Sequence, residues 1–257
     1  MSKLIVEQIA VLNDNYIYLL HEAETGATAV IDPAVAAPVL KRLAERGWRL
    51  SHILNTHHHG DHTGGNLDLK RATGAQVVGA RKDSQRIPGI DVEVAEGETF
   101  LLGHAAAMVF ETPGHTVGHI AFWFPDSLAL FCGDTLFSLG CGRLFEGSAE
   151  QMWASLAKLR DLPAETQVYC AHEYTAANGR FARVLDRANS ALTARLDEVE
   201  RLERADRPTV PSTLATECAT NPFLRADAAE IAQAVGLEPG TAPARVFAEL
   251  RRRKDVF

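Results

Sequence analysis

The run Thr56-His57-His58-His59-Gly60-Asp61-His62-Thr63-Gly64-Gly65-Asn66 constrains this chain more than any other stretch, because it places four histidines and one aspartate within six residues. It follows directly on the strand-like Ser51-His52-Ile53-Leu54-Asn55. Imidazole nitrogen and carboxylate oxygen are the donors that suit Zn²⁺ and its first-row neighbours, and neutral His is the commonest protein ligand. In an extended chain alternate side chains point the same way, so His57 and His59 converge on one point. His62 breaks that two-residue period, and a turn at Gly60 aims Asp61 and His62 together at a second point. The spacing therefore predicts two metals. A solvated polar loop is the competing reading for any single His, but the density here, bounded by a strand and a Gly-Gly turn, argues against it.

The run resembles the H-x-H-x-D-H signature of the metallo-β-lactamase superfamily. The longer string from Thr56 to Asn66 is similar to glyoxalase II, the hydroxyacylglutathione hydrolases. That similarity also takes in Asn13-Asp14-Asn15-Tyr16, Gly140-Cys141-Gly142-Arg143 and Thr220-Asn221-Pro222-Phe223, and so covers nearly the full length.

Size and charge agree with a globular enzyme. At 257 residues, 46% of them hydrophobic, the chain can fill one large or two ordinary cores. A formal charge of -7 argues against general nucleic-acid binding, which needs clustered Lys and Arg. No apolar run approaches the roughly 20 residues of a membrane span, and Glu7 interrupts the first hydrophobic stretch before a secretory h-region could form. A cytoplasmic location is expected, with no membrane or nucleic-acid partner and a monomeric state. Cys132, Cys141, Cys170 and Cys218 lie far apart without a C-x-x-C pair and read as buried or unreactive thiols.

Along the chain, strand-like runs at Leu4-Ile5-Val6, Tyr16 to Leu20 and Thr28 to Ile31 predict an antiparallel meander. Asp32-Pro33 then opens a helix carrying Val39, Leu40, Leu43 and Ala44 on one face and ending at Gly47. A helix over Asn66 to Thr73 and strands near 76–79, 92–94, 99–102, 106–111, 120–124 and 128–132 follow. A helix is expected from about Ala149 to Arg160, then a strand over Gln167 to Cys170. His115, Asp134 and His172 each sit where a strand runs out, the place where loops tolerate converging polar side chains. After Tyr174 the apolar steps Phe181, Val184, Leu185, Ala188, Leu192, Leu196, Val199 and Leu202 predict one long amphipathic helix. Asp227 and Glu230 form a capping-box pattern before Ile231 and Val235, and Val246, Phe247 and Leu250 mark a last helix.

The resemblance implies an α/β fold, an αββα metallo-β-lactamase sandwich over 1–173 with a C-terminal helical, glutathione-binding domain over 174–257. It implies that His57, His59 and His115 bind one divalent metal, that Asp61, His62 and His172 bind another, and that Asp134 bridges them. Zinc is the expected metal, and iron or manganese suit the same donors. His58 lies between two ligands and reads as structural. His119 reads as a hydrogen-bonding neighbour, and His21, His52 and His104 carry no motif.

Two dications, two carboxylates and a bridging hydroxide leave a net charge of about +1, so such a site attracts anions. With Asp61 and Asp134 as its catalytic carboxylates, the resemblance implies attack of that hydroxide on a glutathione thioester, S-D-lactoylglutathione, giving D-lactate and glutathione. The basic tail Arg251-Arg252-Arg253-Lys254 resembles the family's R-x-x-K, which implies that Arg251 and Lys254 bind the glycine carboxylate. Arg143 and Tyr174 match further glutathione contacts, whereas Phe145 stands where some members have a tyrosine. A lactonase would share the dinuclear site without needing the basic tail, a persulfide dioxygenase would use one iron, and di-iron flavoproteins carry Glu where His59 stands.

Overall fold

The computed structural model describes residues 3–257. Their contacts divide into two compact units, one running to Glu111 and including Gly118–Gly133, the other made of Thr112–Val117 and Asp134–Phe257.

The first unit is built on two sheets. Strands β1 (Leu4–Val11), β2 (Asn15–Glu22) and β3 (Thr28–Ile31) form the expected antiparallel meander. Helix α1 (Ala36–Arg46) then crosses to β4 (Leu50–Leu54), which pairs parallel to β3. The short α2 (Gly60–Thr63) and α3 (Asn66–Thr73) lead to β5 (Gln76–Ala80) and β6 (Ile90–Val94), which extend the sheet in parallel. The second sheet is an antiparallel set of β7 (Thr99–Leu102), β8 (Ala105–Glu111), β9 (Ile120–Phe124) and β10 (Ala129–Gly133).

The near-continuous apolar run of β2 has a physical reason: both its faces are covered. Ile17 and Leu19 pack with Val39 and Leu43 of α1 and Leu69 of α3. On the opposite face Tyr18 meets Phe131 of the second sheet at 5.5 Å, and His52 of β4 meets Phe100 at 5.1 Å. Partial burial of His52 pushes its pKa down.

The second unit opens with the hairpin β11 (Leu136–Phe137) and β12 (Gly140–Cys141). Helix α4 (Ala149–Arg160) starts at a capping box in which Ser148 and Gln151 satisfy each other's backbone N–H. Strand β13 (Gln167–Cys170) is followed by α5 (Thr175–Leu185), α6 (Ser190–Arg204), β14 (Ser212–Thr213), α7 (Leu214–Thr220), α8 (Ala229–Ala234) and α9 (Pro243–Asp255). Strand β14 pairs with β13, and α4 packs against α9.

Three local expectations are corrected. The long helix over 181–202 is two helices, α5 and α6, because Asn189 caps α6 by accepting from Leu192 N at 3.0 Å and also donates to Asp186 Oδ2 at 2.9 Å. Asp and Asn side chains that bond the backbone locally compete with a continuing helix. Asp32-Pro33 does not open α1, which begins at Ala36 after an extended Val35. The capping box at Asp227 does not form. The N-cap is Ala228, while Asp227 pairs with Arg160 at 2.8 Å and Glu230 with Arg225 at 2.6 Å.

Candidate active site

In the first unit the histidine loop is closed at its base by two buried asparagines. Asn66 Nδ2 donates to Asn55 Oδ1 at 2.7 Å, and Asn55 Nδ2 donates to His62 O at 3.0 Å. The chain bends at Thr56 and His57, is extended at His59 and turns into α2 at Gly60. This separates the donors into two pairs. His57 Nε2 and His59 Nδ1 lie 3.0 Å apart, and His62 Nε2 lies 3.4 Å from Asp61 Oδ2. Asn15 Nδ2 donates to Asp61 Oδ2 at 3.1 Å and aims that carboxylate.

Behind the pairs stands Asp32, which the sequence did not reveal as part of the site. It is buried, with a left-handed φ of 48°, and accepts from Thr56 N at 2.8 Å and Thr56 Oγ1 at 2.6 Å. Its Oδ2 also meets His62 Nδ1 at 3.0 Å. These contacts fix tautomers. The single Thr56 hydroxyl proton goes to Asp32, so at 3.1 Å the hydroxyl accepts from His57 Nδ1–H, which leaves the Nε2 lone pair of His57 unprotonated. His62 likewise donates from Nδ1 to Asp32, so its Nε2 is an acceptor facing the acceptor Asp61 Oδ2.

The second unit repeats this arrangement. His115 Nδ1 lies 2.8 Å from the carbonyl of Arg143, which can only accept, so His115 Nε2 is again a lone pair, 3.4 Å from Asp134 Oδ2. The other oxygen of Asp134 lies 3.4 Å from His172 Nε2. Each carboxylate oxygen thus faces its own imidazole, which suits a bridging ligand. Tyr174 stacks on His172 at 4.8 Å, and the exposed Phe145 packs on His115 at 5.1 Å.

Two acceptors held face to face need a cation or a shared proton between them. Donors bonded at about 2.1 Å to one tetrahedral cation are separated by about 3.4 Å, and imidazole Nε2 set by an Nδ1–H bond to carboxylate or carbonyl is the arrangement typical of metal-binding His. Both donor sets therefore fit divalent metal ions.

Two glycines show how closely the backbone approaches here. A Cβ on Gly133, whose φ is 47°, would stand 2.3 Å from Thr56 Oγ1, and one on Gly142 would stand 1.9 Å from Asp134 O. The remaining histidines turn away from the donor pairs or pack against them. His58 turns to Asp83 at 3.0 Å, and the buried His119 stacks on His57 at 4.8 Å. Cys132, Cys141 and Cys170 are buried, and burial pushes the Cys141 thiol up to about 11 and that of Cys170 to about 12.

The second unit also contains a cavity of about 530 Å³, lined by His115 and Asp134 together with Tyr174, Arg143, Arg251 and Lys254. All four residues expected to bind substrate reach it. Arg143 is exposed at the rim. Arg251 is buried, donating to Cys141 O at 3.0 Å and pairing with Asp255 at 2.8 Å, a contact with no sequence signal.

Such a fold and donor set define a class. Residues 12–172 match the model of the metallo-beta-lactamase superfamily, and residues 173–257 match that of the hydroxyacylglutathione hydrolase C-terminus. A hydroxyacylglutathione hydrolase of Methylococcus capsulatus is 65% identical over 97% of both chains, and one of Rhodospirillum rubrum is 58% identical over the whole of both. Among solved structures, ETHE1 from Myxococcus xanthus superposes with a TM-score of 0.69 at 26% identity, covering 98% of this chain and 90% of that one. The protein is a metal-dependent hydrolase of the α/β, αββα metallo-β-lactamase fold with a helical C-terminal domain. Within that class, the chain belongs to the hydroxyacylglutathione hydrolase family, glyoxalase II. Among the described residues no helix is long and apolar enough to cross a membrane.

Proposed function

We propose that this protein hydrolyses S-D-lactoylglutathione and related 2-hydroxyacyl-glutathiones to the hydroxy acid and glutathione. We assign His57, His59 and His115 to one divalent cation, Asp61, His62 and His172 to a second, and Asp134 to both, with zinc as the metal and iron or manganese accepted by the same donors. When bound, such a pair supplies Lewis acidity toward an acyl oxygen and lowers the pKa of water from 15.7 toward about 7.

The chain's own side chains do the rest. Asp32, Thr56 and the Arg143 carbonyl hold Nδ1–H of His62, His57 and His115, keeping Nε2 of each available as a ligand. Asp61 and Asp134 are the carboxylates at the reacting centre. Lys254 and Arg251 attract the glycine carboxylate of glutathione, Arg143 adds a third cation, and Tyr174 lies against the thiol portion. A thiol with a pKa near about 8.5 leaves readily as thiolate, so the reaction needs no side-chain acid. The protein acts as a cytoplasmic monomer on this small-molecule substrate.

The observation that carries the reading is the shared cavity: metal-type donors His115 and Asp134 and the cations Arg251 and Lys254 line one space. A lactonase would have no use for those cations. Purified protein is expected to release thiol from S-D-lactoylglutathione, and His59→Ala to lose that activity together with bound metal. A wild type that holds two metals, ignores this thioester and opens lactones refutes the assignment.

A further inference from the structure

We infer that Phe257 is a positioning residue for the anion-binding part of the cavity: with Phe181 it brackets the Lys254 ammonium, aims it inward and keeps water from it, so that a substrate carboxylate becomes its counter-ion. The inference rests on the glutathione-thioester reading above.

The geometry is specific. Lys254 Nζ lies 5.5 Å from the ring centroid of Phe181 and 5.5 Å from that of Phe257. The two rings are 5.4 Å apart and inclined at 69°, forming a corner around the ammonium. Its hydrogen bond, at 3.1 Å, goes to the carbonyl of Ala177 in α5. Ring faces and a carbonyl stabilise a cation without cancelling its charge.

The charged groups around Lys254 do not cancel it either. Arg251 on its own helix, Arg180 on α5 and Arg143 after β12 are all cations. Asp255 is the acid on that side, and it is engaged by Arg251 Nη2 at 2.8 Å with Arg143 Nε at 4.0 Å. Burial first, and then Arg251, Arg180 and Arg143, push the Lys254 pKa down to about 8.

Phe257 is 63% exposed, so it adds little to the core. Yet it lines the cavity together with Lys254. An ammonium already half stripped of water loses less hydration when a carboxylate arrives, which is how an exposed ring can raise substrate affinity.

The test compares wild type, Phe257→Ala and Phe257→Tyr by two readouts: the titration of Lys254 followed by NMR on ¹³Cε-labelled lysine, assigned with Lys254→Arg, and the pH dependence of KM. In the wild type, KM for S-D-lactoylglutathione should stay flat to about pH 8 and rise above it as Lys254 loses its proton. Phe257→Ala should raise KM at pH 7 by about two- to fivefold, the size of one exposed cation–π contact, with kcat within about twofold. Opening the ammonium to water should move the Lys254 titration up toward the ordinary lysine value of 10.5, because burial is the largest cause of its lowering and regained hydration outweighs the lost ring contact. Phe257→Tyr should restore both. A Lys254 titration unmoved by Phe257→Ala, or a loss of kcat at constant KM, overturns the inference. Because the titration is read without substrate, a moved titration in a protein inert on the thioester refutes the functional reading alone.

Discussion

At the scale of single residues, the site is governed by which nitrogen of each histidine carries the proton. Asp32 takes Nδ1–H of His62 and the hydroxyl proton of Thr56, and through Thr56 it fixes His57 as well. Asn at this position keeps the left-handed backbone comfortable, since Asn and Asp both tolerate φ near 48°. Its amide, however, presents donors where Thr56 and His62 need an acceptor, which forces His62 toward the other tautomer and places a proton on Nε2. Asp32→Asn should therefore weaken metal binding about 10- to 100-fold with the fold intact, as loss of a ligand-orienting partner generally does. Competition against a chelating dye measures this directly, and an unchanged affinity would show that Asp32 does not set the tautomers. The sequence could not single out Asp32, because an Asp before Pro at a strand end reads as helix entry. The histidines were legible because residue type and spacing carry their chemistry within a few positions.

At the scale of elements, the hairpin β11–β12 connects Asp134 to Arg143 and is held from below by side chains far along the chain. Asn221 Nδ2 donates to Phe137 O at 3.1 Å and to Gly140 O at 2.9 Å, and Glu217 Oε2 accepts from Leu139 N at 2.8 Å. Asn178 Nδ2 donates to Ser138 O at 3.1 Å and Arg251 to Cys141 O, so the backbone of this hairpin is tied to α5, α7, α9 and the segment after α7. Burial raises the Glu217 pKa, and its bonds from Ser212, Leu139 and Asn221 work against that shift. Asn221→Ala removes two hydrogen bonds to the hairpin carbonyls, a loss of about 0.5–1.5 kcal/mol for each. Thermal unfolding should come several degrees lower, and KM should rise more than kcat falls, because Phe137, Cys141 and Arg143 of the cavity ride on this hairpin. A lower melting point with unaltered KM would assign Asn221 to stability alone. None of this was visible in the sequence, where Thr220-Asn221-Pro222-Phe223 stood out by resemblance but not by mechanism. Apolar periodicity failed for a related reason over 181–202: it reports which face is buried, and α5 and α6 keep their apolar steps in phase across the break at Asp186 to Asn189.

At the scale of the whole molecule, chain order and compactness part ways. The change from mixed to helical composition near Tyr174 is legible, yet the compact unit that contains α5 to α9 also takes in Thr112–Val117 and everything from Asp134, which only three-dimensional contacts reveal. The proposed ligands divide along that line, with His57, His59, Asp61 and His62 in the first unit and His115, Asp134 and His172 in the second. Metal that binds this set binds only the folded arrangement, so it stabilises that arrangement by mass action: about 4 kcal/mol at a free concentration 1,000 times Kd. For a chain of this length each kcal/mol corresponds to about 2–4 °C, so chelation should lower Tm by roughly 10 °C or more. Scanning calorimetry of metal-loaded and chelated protein measures the shift, and readdition of Zn²⁺ should recover it. A Tm that ignores chelation while bound metal falls to zero would mean that the seven side chains do not share ions, and the assignment of a common centre would fail with it.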